Sequence, residues 1–265
     1  MDYKLFEEIR LSQVAKVPYR YSREVRWLPQ IGDVVPNFNV DSTKGPISFH
    51  KFAEGNWVFL FSHPAAFTPV CTTEIASFAT FAKDFEARGV KLLGISKSTI
   101  ADQIRWHADI ETIYDMHVTF PMIADEAGML INLFGMLHNK QSPEWSIRKS
   151  IIIGPDLKIR MIFEYPILIG RSSDEMLRVI DALQTADTYN VATSADWRKG
   201  DDCLLLPSFL GEAKFAYGSA WRKFRSYLST VVDPWQFAPF DDDGDPPTDP
   251  SGEAPLAEGR KARAS

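Results

Sequence analysis

Trp57-Val58-Phe59-Leu60-Phe61-Ser62-His63-Pro64-Ala65-Ala66-Phe67-Thr68-Pro69-Val70-Cys71-Thr72-Thr73-Glu74 runs from an apolar strand through a loop into a helix. The first five residues are continuously apolar, the pattern of a short strand buried on both faces. Beyond Glu74, apolar residues at Ile75, Phe78, Ala82 and Phe85 recur at helical spacing, and Gly89 supplies a C-terminal cap. The spacing therefore predicts one helix between the loop and Gly89. Working outward, Val90–Ile95 reads as a second buried strand and Ile100–Ile110 as a helix. Thr119–Ile123 reads as an edge strand and Met129–Phe134 as a short helix. Ser150–Ile153 and Ile159–Phe163 flank the turn signal Gly154-Pro155-Asp156 and predict a hairpin. A last helix spans Asp174–Leu183, capped by Ser172 or Ser173. Strands alternating with helices and ending in a hairpin define an α/β fold with a mixed sheet over residues 30–187.

The two ends read differently. Residues 1–29 form a poorly patterned N-terminal extension. Residues 188–240 hold a strand candidate, Cys203–Leu206, and an aromatic stretch with Phe215, Tyr217, Trp221, Phe224 and Tyr227. So apolar a stretch is expected to dock or dimerise. From Asp241 to Ser265 the chain is rich in Asp, Pro, Gly, Glu and Ala and poor in large apolar residues, the composition of a disordered tail.

The 265 residues carry a net charge of −6, which argues against non-specific nucleic-acid binding. No apolar run approaches the ~20 residues needed to cross a bilayer. The first residues, Met1-Asp2-Tyr3-Lys4-Leu5-Phe6-Glu7-Glu8, lack the basic start and apolar core of a secretion signal, so a cytoplasmic location is expected. Two cysteines, Cys71 and Cys203, are too few for a disulfide scaffold. The five histidines show no i, i+4 pair and no cysteine partner, so neither a metal site nor a cofactor is expected.

Cys71 stands apart from an ordinary buried cysteine. At the first turn of a helix, unpaired backbone N–H groups and the helix dipole favour an anion, and the thiolate is the reactive form of cysteine. Thr68, three residues earlier, can turn its hydroxyl toward the same pocket. Pro64 and Pro69 stiffen the approach and limit water access.

The Pro64, Thr68, Cys71 spacing on a strand–loop–helix junction resembles the active-site signature of peroxiredoxins. The match extends from Gly32-Asp33-Val34-Val35-Pro36-Asn37-Phe38 to about Pro207 and is similar to the one-cysteine, peroxiredoxin 6-like subfamily. Supporting pieces are Ser62-His63-Pro64, Gly135-Met136-Leu137, Tyr165-Pro166, Gly170-Arg171 and Thr193-Ser194-Ala195-Asp196-Trp197. The resemblance implies a thioredoxin-like fold with a small C-terminal dimerisation domain, a cysteine-based peroxidase reaction and a homodimer or larger homo-oligomer. It assigns Arg148 as the catalytic arginine and Arg171 as a second arginine supporting the pocket. Glu74 becomes the acid that orients them, and His63 a histidine beside the cysteine. The implied substrates are hydrogen peroxide and organic hydroperoxides, reduced through a Cys71 sulfenic acid. The implied reductant is an external thiol such as glutathione or a thioredoxin-like protein.

Thiol activation alone would not make such a catalyst fast. Lowering a thiol pKa from ~8.5 to ~6 raises the thiolate fraction at pH 7 roughly 30-fold. With a Brønsted slope of ~0.45 the same change lowers nucleophilicity roughly 13-fold, leaving about a two-fold gain. Most of the rate must come from aligning the peroxide and stabilising the departing oxygen. Thr68, the Cys71 N–H and the Arg148 fork are the candidates.

Each residue also has a plainer reading. From spacing alone Arg148 is an ordinary surface cation, Arg171 a helix-capping residue, His63 a packing residue and Glu74 a favourable first-turn charge. Cys203 sits in an apolar strand candidate and reads as buried. The competing reading makes it the resolving cysteine, although it lacks the Val-Cys-Pro context of that role. A disulfide oxidoreductase would carry Cys-x-x-Cys, whereas Thr72-Thr73-Glu74 follows Cys71. Glu54-Gly55-Asn56-Trp57-Val58 lacks the serine of a lipase-like motif, so lipid hydrolysis is not expected. A peroxide sensor or chaperone-like oligomer using Cys71 without sustained turnover is the alternative function.

Overall fold

The computed structural model describes residues 28–210, 217 and 219–236. Most of the N-terminal extension, Phe215 and the acidic tail lie outside the described residues. By density of contacts the chain forms two units. One comprises the chain up to Ala76 with Lys91–Gly170, the other Ser77–Val90 with the chain from Arg171 on.

The first unit is built on a seven-stranded sheet of order β2-β1-β5-β4-β3-β6-β7. Its strands are β1 (Asn39–Ser42), β2 (Gly45–Ser48), β3 (Trp57–Ser62), β4 (Val90–Ser96), β5 (Met122–Ala124), β6 (Arg148–Ile153) and β7 (Ile159–Tyr165). β4 and β5 are parallel, while β1–β2, β1–β5, β3–β6 and β6–β7 are antiparallel. The mixed sheet follows the expectation. All six residues of β3 are buried, as its apolar run requires, and all six of β6 are buried too, although only Ile151–Ile153 are apolar and Arg148, Lys149 and Ser150 are not. The core gathers Val35, Phe38, Phe49, Leu60, Leu93 and Phe134, with Phe38 stacked on Phe49 at 4.7 Å.

The helices are α1 (Phe49–Ala53), α2 (Pro69–Thr80), α3 (Ala82–Glu86), α4 (Ile100–Tyr114), α5 (Met129–Leu133) and α6 (Ser173–Tyr189). Their starts follow local chemistry. Thr99 accepts a hydrogen bond from Asp102 N at 3.1 Å, and Ser172 accepts one from Glu175 N at 3.3 Å. Asp125 does the same for α5, taking the N–H groups of Met129 at 2.9 Å and Ile131 at 2.7 Å.

Three expectations are corrected. The single helix from Ile75 to Gly89 is broken at Phe81, whose φ −89°, ψ 7° leaves the helical region and divides α2 from α3. The apolar spacing survives the break because Phe78 and Phe85 both remain buried, their rings edge to face. The strand at 119–123 is not an edge and begins only at Met122. Thr43 N donates to Met122 O and Thr43 Oγ1 accepts from Met122 N, which seats β5 between β1 and β4. Finally, α4 and α6 run past Ile110 and Leu183, to left-handed caps at Asp115 and Asn190. The β1–β2 hairpin and α1 add elements that the strand and helix patterns did not announce.

The second unit carries a three-stranded sheet of order β8-β10-β9, with β8 (Cys203–Leu205), β9 (Trp221–Arg225) and β10 (Leu228–Val231). Tyr189, Trp197, Cys203, Leu205, Tyr217 and Val231 form its apolar cluster. The Arg88 guanidinium forks onto Asp181 at 2.7 and 2.9 Å, and Gln184 donates to Arg88 O, which tethers the end of α3 to α6. The aromatic stretch is only partly covered: Tyr217 is buried, but Phe224 is 52% and Tyr227 74% exposed.

Gly94 tests the packing of β4. A Cβ there would lie 2.1 Å from Met122 Sδ and 3.0 Å from Phe61 Cε2. Gly94→Ala is expected to cost about 1–3 kcal/mol as an overpacked core site. A lower urea midpoint, partly restored by adding Met122→Ala, checks this; an unchanged midpoint contradicts it.

Candidate active site

The chemistry is assembled where β3 gives way to α2. Pro69 opens α2, so the first helical turn holds Val70 and Cys71, and Thr72 is the first residue whose N–H finds a helical acceptor, Thr68 O at 3.0 Å. Among the described residues the Cys71 N–H has no backbone acceptor, the usual condition of a helix start. Cys71 itself is fully buried. Its collar is not: Ala65, Ala66 and Thr68 are half-buried and Phe67 is 51% exposed. Phe67 stands at φ 57°, a conformation that L residues adopt at a cost and that bends the loop back on itself. Thr68 Oγ1 donates to Ala65 O at 2.9 Å, closing that bend, and Pro64 is buried beneath it.

Arg148 begins β6 and is 2% exposed. Its Nη1 lies 3.3 Å from Cys71 Sγ and 2.5 Å from Glu74 Oε2, and its Nε donates to Ile167 O at 2.9 Å. Among the described residues Nη2 has no protein acceptor. Glu74, one helical turn beyond Cys71, is equally buried and balances the charge. The structure thus brings Cys71, Arg148 and Glu74 together. Thr68 and Pro64 form the adjoining loop.

Two supporting residues sit as follows. The His63 ring lies on Trp106 at 5.2 Å, and its backbone carbonyl accepts from Ser146 Oγ. Arg171 is buried in the second unit, just before the Ser172 cap, with its guanidinium over the Phe78 ring at 5.4 Å. Cys203 is also buried, and burial pushes its thiol up to about 11.

Residues outside the expected set do positioning work. Ser62 Oγ donates to Ile147 O at 2.6 Å and accepts from Lys149 N at 3.0 Å, gripping the backbone on both sides of Arg148. Trp106 Nε1 donates to Thr72 Oγ1 at 3.0 Å, and Thr72 Oγ1 donates to Thr68 O at 2.9 Å, bracing the first turn of α2. Ser62 was visible as the residue before His63-Pro64. A tryptophan on a predicted helix, needing a partner for its N–H, was the only sign of Trp106.

A cationic fork on a helix-start cysteine, beside a threonine loop and backed by a buried carboxylate, defines a cysteine-based peroxidase. Residues 31–162 match the AhpC/TSA family. The chain is 37% identical over 206 residues to the 1-Cys peroxiredoxin of Dictyostelium discoideum, covering 77% of this chain and 86% of the relative. It is 43% identical over 182 residues to 1-Cys peroxiredoxin A of Oryza sativa, covering 67% and 83%. Among solved structures, yeast mitochondrial 1-Cys peroxiredoxin superposes with TM-score 0.73 at 37% identity, covering 77% of this chain and 100% of that one. A mutant of peroxiredoxin 6 of Arenicola marina gives 0.72 at 37%, covering 77% and 98%. The chain belongs to the peroxiredoxin family, in its one-cysteine branch, with the thioredoxin-like fold and thiol-dependent peroxidase activity of that class.

Two measurements follow from this geometry. Glu74→Gln leaves the buried Arg148 uncompensated and is expected to cost about 3–5 kcal/mol in denaturant unfolding; a loss below 1 kcal/mol contradicts it. The second concerns His107, beside Trp106 on α4, where burial and the neighbouring His63 and Lys44 hold the imidazole down from 6.5 to about 4, against an opposing pull from Glu111. Its Nε2 has no hydrogen-bond partner among the described residues. Between pH 6.5 and 4 the unfolded chain binds a proton that the folded chain refuses. Stability therefore falls as pH drops through that window, by up to roughly 3 kcal/mol from this residue. His107→Gln should flatten the pH slope of urea stability; an unchanged slope contradicts the assignment.

Proposed function

We propose that Cys71 is the peroxidatic cysteine and that Arg148 is its catalytic partner, on the single observation that Arg148 Nη1 reaches both Cys71 Sγ and Glu74. The Cys71 thiolate attacks one oxygen of a hydroperoxide ROOH. An S–O bond forms and the O–O bond breaks, giving a sulfenic acid and RO⁻, which takes a proton and leaves as ROH. Sulfur is oxidised by two electrons and the peroxide is reduced by two. Arg148 Nη2 and the Cys71 N–H are left to donate to the peroxide oxygens as charge moves onto them. Thr68, closed onto Ala65 O, shapes the wall against which the peroxide is aligned. Because Sγ is fully buried, the peroxide reaches it through the collar of residues 65–68.

The cycle closes when one external thiol displaces hydroxide from the sulfenic acid and a second releases the mixed disulfide. The solved yeast relative is described as resolving its thiol through glutathione and thioredoxin systems, which favours the same donors here. Cys203 stays outside the cycle: a buried thiol held at about 11 is protonated at neutral pH and a poor resolving nucleophile. His63 and Arg171 complete the proposal as supporting residues, and assembly into a homodimer goes with it.

Steady-state peroxide turnover with glutathione or thioredoxin as donor tests this reading. Cys71→Ser is expected to abolish turnover, and Cys203→Ser to leave it intact. Arg148→Lys, which keeps the charge but loses the fork, should lower kcat/KM by roughly 10²–10³. One round of oxidation without turnover in the wild type would favour the sensor reading instead.

A further inference from the structure

Among the described residues, the β9 strand of the second unit is the most cationic exposed element of this net-acidic chain. It reads Trp221-Arg222-Lys223-Phe224-Arg225, and the last four residues are all exposed, with Tyr227 exposed just beyond. Side chains alternate along a strand, so cations stand on both of its faces. Among the described residues β9 pairs only with β10, through Trp221↔Val231 and Lys223↔Ser229, and no ion pair reaches Arg222, Lys223 or Arg225. Arg225 Nη1 turns back onto Phe224 O. Three cations and two aromatic rings thus gather at this edge strand, and among the described residues none of the three cations has an acidic partner.

The complementary segment is in the same chain. Phe240-Asp241-Asp242-Asp243-Gly244-Asp245 begins four residues after Gln236 and carries four carboxylates behind one aromatic ring. We infer that Phe240–Asp245 docks along the outer side of β9, its aspartates on Arg222, Lys223 and Arg225 and Phe240 against Phe224 and Tyr227. The chain leaves the sheet at the right place. Val232 N donates to Ala220 O at 3.2 Å, so the exit lies beside the start of β9. Pro234–Gln236 then forms a 3-10 turn held by Trp235 Nε1 on Thr185 Oγ1 at 3.0 Å, and the four residue steps from Gln236 to Phe240 reach up to roughly 14 Å, close to the about 17 Å covered by the five residues of β9. Such a tether holds the segment at an effective concentration on the order of millimolar, which favours it over a second copy at ordinary protein concentrations. Aspartate is a poor strand former, so the contact is made by side chains rather than by an added strand.

Zero-length carbodiimide coupling of the full chain tests this, because Lys223 is the one amine on β9. An equal mixture of unlabelled and nitrogen-15-labelled chain is coupled at low micromolar concentration, digested and read by mass spectrometry. The expected product joins Lys223 to a carboxylate of Asp241–Asp245 within one chain. It should fall roughly tenfold in 1 M salt, where the screening length is about 3 Å. It should fall similarly in R222Q/R225Q, which keeps the amine and every carboxylate and leaves peroxidase activity unchanged. Mixed-label products, coupling of other lysines but not Lys223, or a product indifferent to both salt and R222Q/R225Q would each overturn the docking.

Discussion

The buried contact between Arg148 and Glu74 is the constraint on which the rest of the site depends. Two opposite charges, each 2% exposed, meet at 2.5 Å, and the same nitrogen touches Cys71 Sγ at 3.3 Å. Neither charge would be tolerated there alone. Together they hold a cationic fork against a fully buried sulfur, where low dielectric strengthens its effect on developing negative charge. In the proposed mechanism, where thiol activation adds only about a two-fold gain, this fixed cation and the helical N–H carry more of the rate than the acidity of the sulfur.

The fold can be understood as the support for that contact. The arginine comes from β6, the cysteine and glutamate from α2, and they meet only if β3 and β6 keep their register. The Phe61↔Ser150 pairing sets it, and Ser62 continues it by clasping Ile147 O and Lys149 N around Arg148. Ile167 O fixes the Nε side of the fork, and at Gly170 a Cβ would stand 3.4 Å from Val70, so this returning segment passes close to the helix start. Trp106 and Thr72 brace that turn from α4. Arg148 and the first turn of α2 are therefore held by hydrogen bonds from three separate stretches of chain, at Ser62, Ile167 and Trp106.

What the sequence disclosed follows the range of the forces involved. β3, β4 and the β6–β7 hairpin were legible because continuous apolar runs and Gly154-Pro155-Asp156 act locally. Cys71, Thr68 and Pro64 were legible from their spacing, whereas Arg148 and Glu74 needed the family resemblance: seventy-four residues apart, they carry no local signal of one another. The break at Phe81 was hidden because the apolar positions on either side stay in phase with one helix. The internal place of β5 was hidden because it is set by Thr43, far away in sequence. Ser62 and Trp106 act through single long-range hydrogen bonds, which no periodicity reports.

The most direct test of the central claim is rapid mixing of the reduced protein with one equivalent of hydrogen peroxide, followed by intact-mass analysis. Wild type, Cys71→Ser and Cys203→Ser are compared. The account predicts that wild type and Cys203→Ser each gain one oxygen rapidly, while Cys71→Ser does not react. Loss of two hydrogens in the wild type, dependent on Cys203, would contradict it, as would a Cys71 that reacts no faster than a free thiol.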